Sequence, residues 1–127
     1  GATRLIEVKV AGAARLDQAR AAARCVASSN LVKAAVFGAD PNWGRIVCAI
    51  GYSGAEFELE RLRVWIGDQL VFEGGRPVET DESRLVEALK APEVSIHADL
   101  GEGDQSATAW GCDLSYDYVK INASYTT

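Results

Sequence analysis

A chain of 127 residues that is 48% hydrophobic is long enough for one core and too short to divide into several domains. Its 13 Lys plus Arg stand against 18 Asp plus Glu, a net charge of -5, and no stripe of clustered cations is present to meet a nucleic-acid backbone. Three widely spaced cysteines (Cys25, Cys48, Cys112) and a single histidine make neither a disulfide framework nor a zinc site, and no apolar run is long enough for a membrane span.

Residues 4–10 alternate, with Ile6, Val8 and Val10 on one side, and predict a half-buried strand. Residues 11–14 are expected to turn the chain. A helix is predicted over 16–28, with Asp17 as N-cap and Leu16, Ala19, Ala22, Ala23 and Val26 in a stripe whose small side chains allow close approach to a sheet. Residues 31–37 fit either a helical turn or a short strand, ended by Gly38. Asp40 and Pro41 announce another helix, running over 45–50 with Ile46, Val47, Ala49 and Ile50 inside and closed by Gly51 and Gly54. Strands are expected at 56–62 and 63–66, or one bent strand across both. A turn at Gly67-Asp68, a returning arm at 69–73 and a loop at 74–77 follow.

Thr80 is expected to cap a helix over 81–90 that buries Leu85, Val86 and Leu89 and stops at Pro92. Strands are predicted at 93–99, with Val94, Ile96 and Ala98 on one face, and at 106–112, with a polar glycine-broken loop between them. Asp113 is expected to cap a short helix reaching Val119 or Ile121. The fold class is therefore α/β (α+β): two or three helices packed on a layered mixed or antiparallel sheet, in a single segment 1–127 that no repeat or linker divides.

The most unusual stretch is Phe-Gly-Ala-Asp-Pro-Asn-Trp-Gly-Arg, residues 37–45. A helix N-terminus, the Asn42 amide, the Trp43 indole and the Arg45 cation could together hold a carboxylate or an acyl group. The structural alternative is a capped helix with Trp43 in the core and Arg45 paired to an acid. His97 points away from the face of Val94, Ile96 and Ala98 and reads as a surface or interface residue. Gly101-Glu102-Gly103 reads as a turn, because a phosphate loop needs a third glycine and a downstream acid. Asp99, Glu102, Asp104, Asp113 and Asp117 lack EF-hand spacing and read as a solvated face. The cysteines are taken as small buried hydrophobes, and Asn122-Ala123-Ser124 is a glycosylation sequon without consequence unless the chain is secreted. The absence of methionine and the opening Gly1-Ala2-Thr3 lead to the expectation of a processed or partly observed segment of something longer. The far end, without a polar tail, is expected to be tied down.

Three stretches carry a resemblance: LVKAAVFGADPNWGRIVCAIGYSG (31–54), ADLGEG (98–103) and AWGCDLSYDYVKINASYTT (109–127). They closely resemble the bifunctional ornithine acetyltransferase, or glutamate N-acetyltransferase, of arginine biosynthesis, and the resemblance covers essentially the whole chain. It implies a self-cleaving enzyme of the N-terminal-nucleophile type whose distal (beta) chain begins with a threonine nucleophile, with this segment as the later part of that chain. It implies that the nucleophile and a glutamate immediately before Gly1 lie outside the segment, and that Asn122 and Thr127 hold the amino-acid portion of the substrate. Asp40, Asn42, Trp43 and Arg45 are then structural or near-site residues.

The implied reaction moves an acetyl group from N2-acetylornithine to glutamate through an acetyl-threonine, with an oxyanion hole from the proximal (alpha) chain. No cofactor or metal is implied; acetyl-CoA is a donor substrate for part of the family. The implied partners are the proximal chain and the remainder of the distal chain, in a cytoplasmic heterotetramer of two of each. Neither nucleic acid nor membrane is a partner. The isolated segment is expected to be inactive. Two alternatives stand beside this reading: a related self-cleaving amidase or aminopeptidase, and a non-catalytic small-molecule-binding domain.

Overall fold

The computed structural model describes residues 4–112 and the backbone of residues 119–123. Among the described residues, seven strands form one sheet: β1 (Leu5–Ala13), β2 (Arg63–Ile66), β3 (Gln69–Glu73), β4 (Arg76–Pro77), β5 (Glu93–Asp99), β6 (Gln105–Cys112) and β7 (Val119–Ala123). Their spatial order is β4-β3-β2-β5-β1-β6-β7. β1 runs parallel to β5 and antiparallel to β6, so the sheet is mixed. Four helices among the described residues, α1 (Leu16–Ser28), α2 (Asn30–Phe37), α3 (Trp43–Gly51) and α4 (Glu82–Lys90), complete the α/β architecture, where two or three were expected.

The period-two pattern decides which face is covered. Ile6, Val8 and Val10 of β1 are buried, as are Val64 and Ile66 of β2, Val94, Ile96 and Ala98 of β5, and Ala107 and Ala109 of β6. These side chains form one cluster with Ala19, Ala22, Ala23 and Val26 of α1, Ile46 and Ile50 of α3, and Leu85 and Leu89 of α4. Ala19, Ala22, Ala23 and Ala27 of α1 are fully buried, so that helix lies close against β1 and β6, its principal neighbours. Burial of each Val, Leu or Ile in this cluster contributes about 1.5–3 kcal/mol relative to exposure. The intervening residues of the same strands stay part or fully exposed, among them Glu7, Lys9, Trp65, Ser95, His97, Thr108 and Trp110. Among the described residues the sheet is covered on one face and open on the other.

Several expectations change. The first strand does not turn at residue 11 but continues to Ala13 through a bulge between Val10 and Ala13. Gly12 supplies the left-handed backbone there, with φ 71°. Its carbonyl accepts from Glu102 N at 2.7 Å and Gly103 N at 2.8 Å, which makes residues 101–103 a turn pinned to β1, as expected. Asp17 does not cap α1; it lies in the first turn and pairs with Arg15 at 3.0 Å.

The ambiguous residues 31–37 are helical. Ser29, in extended backbone, ends α1 and caps α2 by accepting from Val32 N at 3.2 Å. The cap of α4 is Asp81 rather than Thr80, because the Asp81 carboxylate reaches Ser83 N at 3.1 Å and Arg84 N at 3.4 Å. That bonding holds the Asp81 carboxyl below the ordinary carboxylate range, the Ser83 hydroxyl acting most.

Residues 56–62 are not a strand. Ala55 N bonds to Ser53 Oγ and Glu56 N to Gln18 Oε1, and a 3-10 turn follows at Leu59–Arg61, so this backbone bonds outside any ladder. Arg76–Pro77, read as loop, makes a two-residue pairing with β3. Val119–Ala123 is a strand paired with β6, which overturns a helix reaching Val119 or Ile121; the expected Asp113 cap lies outside the described residues. Cys48 is exposed while Cys25 and Cys112 are part-buried, so none is the fully buried hydrophobe expected.

Candidate functional site

The junction of α2 and α3 positions the composition-rich stretch 37–45. α2 ends in a Schellman-type pair of bonds: Asp40 N to Ala35 O at 2.8 Å and Ala39 N to Val36 O at 3.0 Å. The left-handed residue of that cap is Ala39, at φ 54°, whereas Gly38 takes φ -85°. Asp40 is exposed and does not cap α3; Asn42 holds the N-cap position without a side-chain bond. Trp43 is part-buried and tilts against Phe72 of β3, with ring centroids 5.0 Å apart. Arg45 anchors no acidic loop: its Nη1 donates to Leu31 O at 2.9 Å and ties α3 to α2.

The second group of expected residues lies elsewhere. Asn122 occupies the register position opposite Thr108, in β7 at the edge of the sheet. Five strand spacings separate β7 from β3, which carries Phe72 against Trp43; this is about 24 Å at the usual spacing. Asp40, Asn42, Trp43 and Arg45 thus come together, and Asn122 stands apart from them within one chain. Thr127 lies outside the described residues.

The open face of the sheet has its own chemistry. One row crosses it at a single level: Trp65 pairs with His97, His97 with Lys9, Lys9 with Thr108, and Thr108 with Asn122. His97 stacks on Trp65 with centroids 4.8 Å apart, and Arg63 lies 5.2 Å over the same indole while bonding Asp99 at 3.1 Å. Burial, then the Lys9 and Arg63 cations, push the His97 imidazole below its ordinary value against a smaller opposing pull from Asp99. Its Nε2 is buried without a hydrogen-bond partner. One row away, Trp110 Nε1 donates to Glu7 Oε2 at 3.2 Å.

Alternation had placed His97 on this face, yet the row itself was not legible, because register between distant strands is set by the fold and not by any one strand. Among the described residues no three His, Cys, Asp or Glu side chains are grouped to hold a metal ion. Of the acidic set, Asp99 pairs with Arg63, Glu102 lies 3.9 Å from Arg61, and Asp104 accepts from Gln105; Asp113 and Asp117 lie outside the described residues. No helix of the described residues is long and apolar enough to cross a membrane.

The whole chain, residues 1–127, matches the model of the ArgJ family. The chain is 58% identical over 127 residues to the arginine biosynthesis bifunctional protein ArgJ of Symbiobacterium thermophilum, covering 100% of itself and 32% of that protein. It is 51% identical over 132 residues to the glutamate N-acetyltransferase of Methanosarcina mazei, covering 33% of that protein. The crystal structure of ArgJ from Bacillus halodurans superposes with a TM-score of 0.86 at 45% identity, over 93% of this chain and 56% of that one. The chain spans about a third of the length of the curated relatives it matches. With a family match from end to end and the same fold in a solved relative, the chain belongs to the ArgJ family.

Proposed function

We propose that the complete protein transfers an acetyl group from N2-acetylornithine to glutamate, and that this chain is the C-terminal portion of its distal chain. The observation that carries the reading is the family match over residues 1–127, supported by relatives named both as the bifunctional protein and as glutamate N-acetyltransferase. The fold of the whole enzyme is then of the self-cleaving N-terminal-nucleophile type. The threonine hydroxyl oxygen attacks the acetyl carbonyl, the amide C–N bond breaks, and ornithine leaves with a proton on its amine. The amine of glutamate then attacks the acetyl ester, the ester C–O bond breaks, and the hydroxyl regains its proton.

In this reading Asn122 and Thr127 hold the amino-acid portion of the substrate and set its orientation, while the nucleophile and the oxyanion hole come from the rest of the precursor. Asn122 offers an acceptor and a donor, and the Thr127 hydroxyl offers a further donor and acceptor. Acetyl-CoA is the second donor to try. The assembly is a cytoplasmic heterotetramer of two proximal and two distal chains.

The test is a mass-spectrometric assay of the complete processed protein with N2-acetylornithine and glutamate. N-acetylglutamate and ornithine should appear in equal amounts. Release of free acetate with no acetylated glutamate would replace the transferase by an amidase. Asn122→Ala should lower kcat/KM by about 5- to 150-fold, the equivalent of roughly 1–3 kcal/mol for hydrogen bonds lost to substrate. Thr127→Val should lower the rate while precursor cleavage persists, and unaltered kcat/KM in both variants would leave this end of the chain a structural role only.

A further inference from the structure

The four central strands β2, β5, β1 and β6 carry two described cations on the open face, Arg63 and Lys9. Arg63 is neutralised by Asp99 at 3.1 Å. Lys9, exposed at the middle of β1, makes no ion pair among the described residues. We infer that Lys9 is a specificity-determining residue of the proposed transfer: its ammonium meets the side-chain carboxylate of the acceptor amino acid while Asn122 holds the amino-acid end. The inference rests on the acetyltransferase reading, the role of Asn122 included.

The acids in the two adjoining rows of this face are engaged elsewhere. Glu7, two residues before Lys9 on β1, accepts from the Trp110 indole at 3.2 Å. Asp99 accepts from Arg63 and, at 2.9 Å, from Gly101 N. Burial first and the Lys9 cation second push the His97 imidazole below its ordinary value, so the charge at position 9 acts across to β5. A cation fixed on a strand without a counter-ion complements a carboxylate that arrives from outside the segment.

The register supplies the geometry. Lys9 pairs with Thr108 and Thr108 with Asn122, so positions 9 and 122 stand at one level, two strand spacings or about 9.6 Å apart. Only Thr108, a part-exposed residue with a short side chain, stands between them. A dicarboxylic amino acid held at position 122 by its α-groups, and lying across the strands, carries its second carboxylate over Thr108. The two methylenes of such a substrate and the flexible four-carbon stem of the lysine together bridge the spacing. The Thr108 hydroxyl is a second donor on the same path.

The two amino acids of the proposed reaction differ at this place. Glutamate ends in a carboxylate, whereas ornithine ends in an ammonium. A cation at position 9 attracts the first and repels the second, so it favours replacement of released ornithine by glutamate before the acetyl group returns to ornithine. Lys9 is exposed, and water and salt screen an exposed pair, so the effect is a few-fold discrimination between acceptors rather than a gain of many orders.

The experiment uses the complete processed protein with N2-acetylornithine as donor and glutamate or glutamine as acceptor, glutamine having the same shape and no side-chain charge. The ratio of kcat/KM for glutamate over glutamine should fall about 2- to 5-fold in Lys9→Gln, fall further in Lys9→Glu and recover in Lys9→Arg. Ornithine should inhibit Lys9→Gln at correspondingly lower concentration, and Lys9→Glu at lower still. On the unmutated protein, raised salt should draw the glutamate preference toward that of Lys9→Gln, a readout that needs no variant to fold. Two results overturn the inference: a preference and an ornithine inhibition that ignore the charge at position 9, or a loss that falls equally on both acceptors, which assigns Lys9 to the fold. The two proposals fail differently. A wild type that acetylates neither acceptor removes the acetyltransferase reading and Lys9 with it, whereas transfer to glutamate that is insensitive to position 9 removes Lys9 alone.

Discussion

Two left-handed residues show how local backbone chemistry and packing diverge. Gly12 makes the bulge of β1 possible, and a Cβ there would overlap the Asp99 carboxylate and come within 2.9 Å of Gly101 N. Gly12→Ala should therefore lower the unfolding free energy by about 1–3 kcal/mol for the left-handed strain, plus the cost of displacing Asp99. Ala39 is the opposite case, since it takes φ 54° with a side chain. Ala39→Gly should hold or raise stability, by up to about 1 kcal/mol, because glycine adopts this conformation without the Cβ penalty. Urea midpoints measure both, and a clear loss for Ala39→Gly would show that the methyl contact with the core outweighs the strain.

His97 gives a pH prediction whose sign follows from its surroundings. Its folded value is lowered by burial and by the Lys9 and Arg63 cations, with Asp99 opposing, so the unfolded chain binds the proton more tightly. Stability from this group is fully present above about pH 6.5, the ordinary histidine value, and is lost as pH falls from there through the lowered folded value. Between neutral and mildly acid pH the denaturation midpoint of wild type should fall relative to that of His97→Gln. Parallel curves across that window would remove His97 as the source.

At the scale of elements, the predictable parts were those with long periodic patterns. The alternation of residues 4–10 and 93–99 and the small-residue stripe of α1 each fixed an element and its buried face. What failed was governed by contacts outside the segment. The open choice at residues 31–37 resolves to the eight-residue helix Asn30–Phe37, which Ser29 caps, and an extended Ser29 separates α1 from α2. Ser29→Ala should cost about 1 kcal/mol by freeing the Val32 N–H. An unchanged thermal midpoint would mean that packing of Val32 and Val36 holds α2 without its cap.

The stretch 37–45 was equally legible in composition and illegible in role. Trp43 is part-buried against Phe72 rather than enclosed, so Trp43→Ala should cost less than the roughly 3–5 kcal/mol of a fully buried indole. Equilibrium unfolding sets this number. Transfer by the complete protein carrying Trp43→Ala tells whether the residue acts only through the fold: a lost rate at an unchanged midpoint would assign it to the site.

For the molecule as a whole, the resemblance of 31–54 and 109–127 identified the family, while the sheet order and the open face became visible only in the fold. No pattern within β1 reveals that its neighbours are β5 and β6, since the pairing partners lie 88 residues away in β5 and 92 to 107 away in β6. The same separation divides the proposed chemistry. The proposed binding groups at Asn122 and Thr127 belong to this chain, whereas the proposed nucleophile and oxyanion donors belong to the rest of the precursor, and orientation without a nucleophile forms no acetyl intermediate. The purified 127-residue chain should therefore yield no N-acetylglutamate from N2-acetylornithine and glutamate, under conditions in which the complete pair of processed chains turns over. The native assembly should elute far above the 13.6 kDa of this chain, with the proximal chain in equal amount. Turnover by the segment freed of every other chain would place a nucleophile within these 127 residues and overturn the division of the site between chains.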